Sequence, residues 1–206
     1  MKIALFHPWL KSKGGAERVV LEFLKNTKHN VDVYTWVYDK ENTFEEFKRY
    51  KIKIIGPKSV KKFTREYILR GILFFFLSFF LKIPLKDYDA FFISSGGLAE
   101  FIVFRNYKPK KTYIYSHTIL RAACEEDIKW NLKYRYKSIF SKLFYLVAVY
   151  AYKLLEKIAW KKIDVAIFNS VLSLKRAKEH NLTKRKKIFI IHPPINLENL
   201  KKVRAK

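Results

Sequence analysis

Glutamine is absent from the 206 residues, cysteine and methionine occur once each, and glycine and proline occur six times each. A single cysteine, Cys124, excludes an internal disulfide and makes a reducing compartment the default. So few glycines and prolines leave no linker-like or low-complexity block, and no internal repeat is visible. The missing glutamine, beside abundant lysine, isoleucine and phenylalanine, fits a thermophilic bias and a simple nucleotide bias equally well. Carboxylates are scarce too: 18 Asp and Glu face 43 Lys and Arg, for a net charge of +25. Part of that surplus is a solvated lysine surface. The rest implies an anionic partner, whether nucleic acid, a membrane surface or a phosphorylated ligand.

Long apolar runs are also missing. The longest uncharged one, Gly71–Leu81, would span roughly 16 Å as a helix, about half the hydrocarbon thickness of a bilayer. It should be a buried or an interfacial helix and should not cross a membrane. Met1 and Lys2 lead into a short run, Ile3–Phe6, that stops at His7-Pro8, which does not read as a signal peptide. No His, Cys, Asp and Glu spacing resembles a metal site. Nor is there a helix-turn-helix, RRM, KH or zinc-finger pattern, and the basic residues are spread along the chain, so nucleic acid is not the expected partner.

What is present is a large apolar content, with 50% hydrophobic and 17% aromatic residues, enough for one sizeable core. Short apolar strands alternate with helical patterns. The strands are Ile3–Phe6, Val31–Trp36, Ile52–Ile55, Ala90–Ser94, Thr112–Ser116, Val165–Phe168 and Ile188–Ile191. Helical patterns follow Gly15, cover Thr64–Leu81, cover Asn131–Lys161 as one or two helices, and cover Val171–His180. This alternation predicts an α/β fold: a doubly wound, mainly parallel Rossmann-like sheet with right-handed crossovers. The predicted strand order is 3-2-1-4-5-6-7 with Ile3–Phe6 inside. Residues 1–195 form the domain, and the basic stretch 196–206 reads as the start of a linker to a second domain.

In such sheets ligands bind beyond the carboxyl ends of the strands. Four segments occupy that position: His7–Arg18, Ser94–Glu100, Ser116–Asp127 and Asn169-Ser170. In the first, Gly14-Gly15 stands immediately before a helix, where bare amides and the positive end of the helix dipole suit a phosphate. The pattern is neither GxGxxG nor a P-loop. A nicotinamide dehydrogenase is excluded by the missing third glycine and by Asp39, which lies too far beyond the second strand. Glu17 reads as complementing the helix dipole. His7 and His192 each precede proline and read as structural, whereas His29 and His180 read as surface residues near helix ends.

GGAERVV after the first strand resembles the amino-terminal domain of retaining glycosyltransferase family 4, which has the GT-B fold. YSHTILR at Tyr115–Arg121 is similar to a strand-end segment of that family. Asn169-Ser170 after IDVAIF and IIHPPINLENL at Ile190–Leu200 continue the likeness in order. The resemblance implies that Gly14 and Gly15 lie against a donor diphosphate and that His117 is a catalytic residue near the transferred sugar. It implies that Gly96, Gly97, Arg121, Glu125, Asn169 and Ser170 line the acceptor side of the cleft. Two departures concern the acceptor: Ile119 replaces a common proline, and AACEED follows Arg121 where an aromatic-Asp pair is usual. The family carries a second Rossmann-like domain with a Glu-x7-Glu motif, which is not found in this sequence.

The implied function is transfer of a hexose from a sugar nucleotide, as substrate and with no cofactor, to a lipid-phosphate or polysaccharide glycan acceptor, with retention. The partners are the donor, the acceptor and a separate C-terminal domain chain. The location is cytoplasmic, peripheral on the inner face of the cell membrane. The competing reading is a noncatalytic, basic membrane- or glycan-associated binding module. Ile68–Leu85, beside Lys61, Lys62 and Arg65, is expected to lie flat on an anionic membrane. Lys129–Lys157 repeats its cationic and aromatic pattern, but also fits a helix packed on the sheet with a lysine face to solvent.

Overall fold

The computed structural model describes residues 1–56, 75–107 and 111–194. Seven strands make one sheet: β1 (Lys2–Phe6), β2 (Asn30–Thr35), β3 (Ile52–Ile54), β4 (Ala90–Ser95), β5 (Lys111–Ser116), β6 (Val165–Phe168) and β7 (Lys187–Ile190). Their order is β3-β2-β1-β4-β5-β6-β7, and every neighbouring pair is parallel. The predicted order and the internal place of Ile3–Phe6 are therefore as observed. The chain first winds outward from β1 to β3 and then returns to the other side of β1. This reversal places a topological switch point between β1 and β4, which pair Leu5 with Phe92 and Phe6 with Ile93.

Alternation along the strands splits the core into two layers. Ala4, Phe6, Tyr34, Ile93, Ile114, Ala166 and Phe168 face one side with Phe101, Ala159 and Trp160. Leu5 and Val33 face the other, under Val20, Leu21 and Leu24 of α1 (Gly15–Asn26). Burial of each such side chain contributes about 1.5–3 kcal/mol, so β1, apolar on both faces, is the spine of the domain.

Residues 75–80 are helical, within the predicted Thr64–Leu81 helix. Residues 57–74 lie outside the described residues, and with them the first part of that stretch, residues 68–74 of the expected membrane segment, and Lys61, Lys62 and Arg65. The Asn131–Lys161 stretch divides. A short helix α2 (Glu125–Trp130) runs into a wide turn, Asn131–Arg135, and a separate helix α3 (Ile139–Trp160) follows. Ser138 caps α3, accepting from the Ser141 amide at 3.2 Å. The last helix, α4 (Val171–Glu179), is capped by Ser170 in the same way, from the Ser173 amide at 3.2 Å. A two-residue parallel pair, Trp9–Leu10 with Val37–Tyr38, extends the ladder past Pro8. It holds the loop that leads to Gly14.

Candidate functional site

Because all seven strands are parallel, their carboxyl ends lie on one side of the sheet, where the loops carrying His7, Ser94–Gly97, His117 and Asn169 converge. Gly14 and Gly15 open α1 at the same end, since α1 follows β1. His7 and Ser94 leave β1 and β4 at the switch point itself.

There the Ser94 hydroxyl bridges two imidazoles. Its Oγ is 3.0 Å from His7 Nδ1 and 2.8 Å from His117 Nε2. One hydroxyl proton can be donated to only one ring, so the other ring donates to Ser94. The two tautomers are thereby coupled. Both rings are held neutral: burial and the neighbouring His117 pull His7 down to about 3, and burial pulls His117 down to about 4. With Nε2 turned to Ser94, His117 Nδ1 has no hydrogen-bond partner among the described residues. The backbone is fixed as well, since the His117 amide donates to Ser95 O at 2.8 Å. His7, read from sequence as structural, thus belongs to the same cluster as His117.

The four glycines of the site divide by surroundings. A Cβ on Gly15 or on Gly96 would meet nothing within 4 Å, so both face open space. At Gly14, the N-cap of α1, a Cβ would collide with the Glu17 carboxylate, a buried side chain that Ser12 engages at 2.9 Å. Gly97 differs: its φ is +104°, and a Cβ would lie 2.7 Å from Leu120 N and 2.8 Å from Leu120 Cα. Its amide donates to Ser95 Oγ at 3.1 Å and its carbonyl accepts from Tyr152 at 2.7 Å. Gly97 is a tightly held turn of the scaffold under the cleft.

The remaining expected residues are engaged locally. Arg121 is mainly exposed and meets Asp127 at 3.3 Å. Glu125 is exposed at the start of α2. Asn169 Oδ1 accepts from Ser173 Oγ at 2.6 Å, and Ser170 serves as the α4 cap. Ser173 Oγ also lies 3.2 Å from His117 O, which ties the start of α4 to the histidine loop.

Beneath the cleft runs a buried polar chain. Ser95 Oγ donates to Glu100, and Tyr152 OH lies 3.2 Å from Glu100 Oε1 and 2.9 Å from Glu156 Oε1. Glu156 Oε2 is 2.8 Å from His180 Nδ1, and His180 Nε2 donates to Ala123 O at 3.1 Å. One phenolic proton cannot serve Gly97 O and two carboxylates, so a second proton is required. Burial and the Glu156 charge supply the reason for it, raising Glu100 to about 7. His180 has acceptors on both nitrogens and is an imidazolium. Burial opposes that charge, but hydrogen bonds with Cys124 and Glu156 and the Glu156 charge raise it to about 9. His180 is therefore no surface residue: it is 3% exposed. Its last-turn position made it look solvated, but α4 turns that end onto α3.

An apolar trough of about 360 Å³ opens along α1 on the adjoining sheet face, lined by the stacked Phe23 and Phe92, with Ser94 and Tyr115 in its wall. Among the described residues no group of acidic, cysteine or histidine side chains could hold a metal ion.

The sequence matches no family model and no curated protein. Among solved structures it is similar to a lipopolysaccharide outer core galactosyltransferase, WaaB, in its apo form. The TM-score is 0.52 at 15% identity, covering 95% of this chain and 46% of that one. It also matches Arabidopsis thaliana UGT89C1 complexed with UDP-L-rhamnose, with TM-score 0.45 at 13% identity, covering 99% of this chain and 53% of that one. The chain spans about half the length of each. At 15% identity the likeness to WaaB concerns the fold alone, an α/β Rossmann-like domain with a parallel sheet.

Proposed function

We propose that this chain is the acceptor-side, amino-terminal half of a retaining, family 4-like glycosyltransferase that moves a hexose from a sugar nucleotide to a lipid-linked or polysaccharide acceptor. The observation that supports the reading is that two elements stand at the carboxyl end of one parallel sheet. One is an unobstructed glycine at the start of a 12-residue helix. The other is a neutral histidine whose Nδ1 has no partner among the described residues.

The chemistry follows from these parts. The Gly15 amide and the α1 dipole receive the donor diphosphate and oppose the charge that builds on it as the glycosidic bond breaks. His117, neutral throughout the physiological range, hydrogen-bonds a hydroxyl of the transferred sugar through Nδ1 and carries no charge into the cleft. Ser94 and His7 hold its ring, so the bond is preformed and costs little reorganisation. No metal enters this scheme. The charged contacts to the departing nucleotide belong to the second half of the enzyme. The large positive charge of this half favours anionic donors and acceptors and a place on the cytoplasmic face of the membrane.

The test is transfer by the complete two-domain enzyme. His117→Ala should lower kcat by about 10²–10³, the range for loss of one preorganised donor to a reacting group. An unchanged kcat in a folded variant would remove the histidine from the mechanism and the reading with it.

A further inference from the structure

Helix α3 is built with its sides reversed. Its inward residues are Tyr145, Tyr152, Glu156, Ala159 and Trp160, so several polar groups are turned into the domain. Its outward stripe is apolar: Ile139, Phe140, Leu143, Phe144, Val147 and Tyr150, continued by Leu154 and Ile158. These positions recur at helical spacing on one side, and Phe140 and Phe144 are 82% and 77% exposed. A stripe of this length runs roughly 30 Å, far more than the scattered apolar residues of an ordinary surface. Trp130 and Tyr134, which precede the helix in α2 and the turn after it, are also exposed.

The charges around the stripe decide what covers it. From Ile128 to Ile163 the chain holds nine lysines and arginines and one carboxylate, the buried Glu156. Lys129, Lys133, Arg135 and Lys137 stand before the helix, and Lys142, Lys153 and Lys157 border it. A recess lined by Lys157, Lys161, Lys184 and Arg185 lies at its far end. No described helix is long and apolar enough to cross a membrane. A second copy of the chain would bring the same positive charge to the same face, and a net charge of +25 opposes that.

We infer that the outward face of α3 docks flat on an anionic phospholipid surface, the rings of Phe140 and Phe144 entering the headgroup boundary and the flanking lysines pairing with lipid phosphates. The docked helix touches the cleft from its other side, because Tyr152 OH donates to Gly97 O at 2.7 Å. A membrane-borne anionic acceptor is thereby delivered beside the site. The docking stands on the helix alone and does not depend on the transfer reading.

The experiment is cosedimentation of the purified protein with vesicles of phosphatidylcholine alone or with added phosphatidylglycerol, on wild type and on the double variant F140E/F144E. Wild type should bind the phosphatidylglycerol vesicles and not the neutral ones, and high salt should release it. The double variant should lose roughly a hundredfold or more in affinity, about a factor of ten per ring withdrawn from the boundary. Both positions are exposed, so its thermal melt should match wild type. Absence of wild-type binding, or equal binding by the variant, would overturn the inference. So would a wild-type dimer that the variant dissolves, which would make α3 a protein interface.

Discussion

Two Gly-Gly pairs stand at the cleft, and the structure predicts opposite responses within them. Gly97→Ala places a Cβ within 2.8 Å of the Leu120 backbone at φ +104°. The left-handed conformation costs an L side chain about 1–3 kcal/mol. Overpacking against backbone that cannot rotate away adds about 1–3 kcal/mol. The sum, about 2–6 kcal/mol, lowers the melting temperature by roughly 5–20 °C for a chain of this size. Gly15→Ala meets nothing and sits in the first turn of α1, so it should be neutral or stabilising by up to about 1 kcal/mol. Gly96→Ala should likewise be tolerated. Urea unfolding of the three variants, with the midpoint and slope fitted separately, reads these differences directly. The same series separates fold from function: Gly15→Val should keep the melt and weaken donor binding in the complete enzyme, because the side chain fills the space above the helix start. Equal stability of Gly97→Ala and Gly96→Ala would refute the reasoning.

Stability should peak near pH 6 and fall on both sides. His7 and His117 are depressed from 6.5, so the unfolded chain takes up protons that the fold refuses, and stability is lost as the pH drops below 6.5. Glu100 and His180 are raised, so the fold holds extra protons, and that contribution is lost as the pH rises through about 7 and then about 9. Each proton of difference gives a slope of about 1.4 kcal/mol per pH unit, and a flat profile from pH 4 to 9 in chemical unfolding would contradict the assignment. Ser94→Ala leaves two buried imidazole nitrogens without their partner, at a cost of about 1–3 kcal/mol, and should change the His117 tautomer seen by nitrogen NMR. An unchanged tautomer would show that the bridge does not orient the ring.

The strands and their order were legible because each is a short apolar run bounded by a helical pattern, and the right-handed crossover rule leaves few ways to wind them. The Trp9–Leu10 and Val37–Tyr38 pair was not, since two residues carry no periodicity. The Gly14-Gly15 turn and His117 were visible as strand-end residues. Their partner Ser94 was not assigned, and His7 was read apart from them, because the contact joins residues 87 positions apart in sequence. His180 was misplaced for a similar reason. A histidine ending a lysine-rich helix reads as solvated, and nothing local shows that Glu156, 24 residues earlier, is presented to it. Gly96 and Gly97 look alike in sequence and differ only in dihedral angle and in what lies opposite. Periodicity located the helical character of α3 but not its direction, since an apolar stripe ordinarily faces inward and here faces out.

The central claim is that a nucleotide sugar meets this half at the start of α1 and beside His117. Residue-resolved amide NMR of the protein, titrated with nucleoside diphosphate hexoses, tests it most directly. The account predicts saturable shifts at Gly14, Gly15 and Ala16, with smaller ones at Gly96 and His117, and none of these in Gly15→Val. Shifts confined to the basic recess around Lys161 and Lys184, or no saturable shift with any donor, would contradict it.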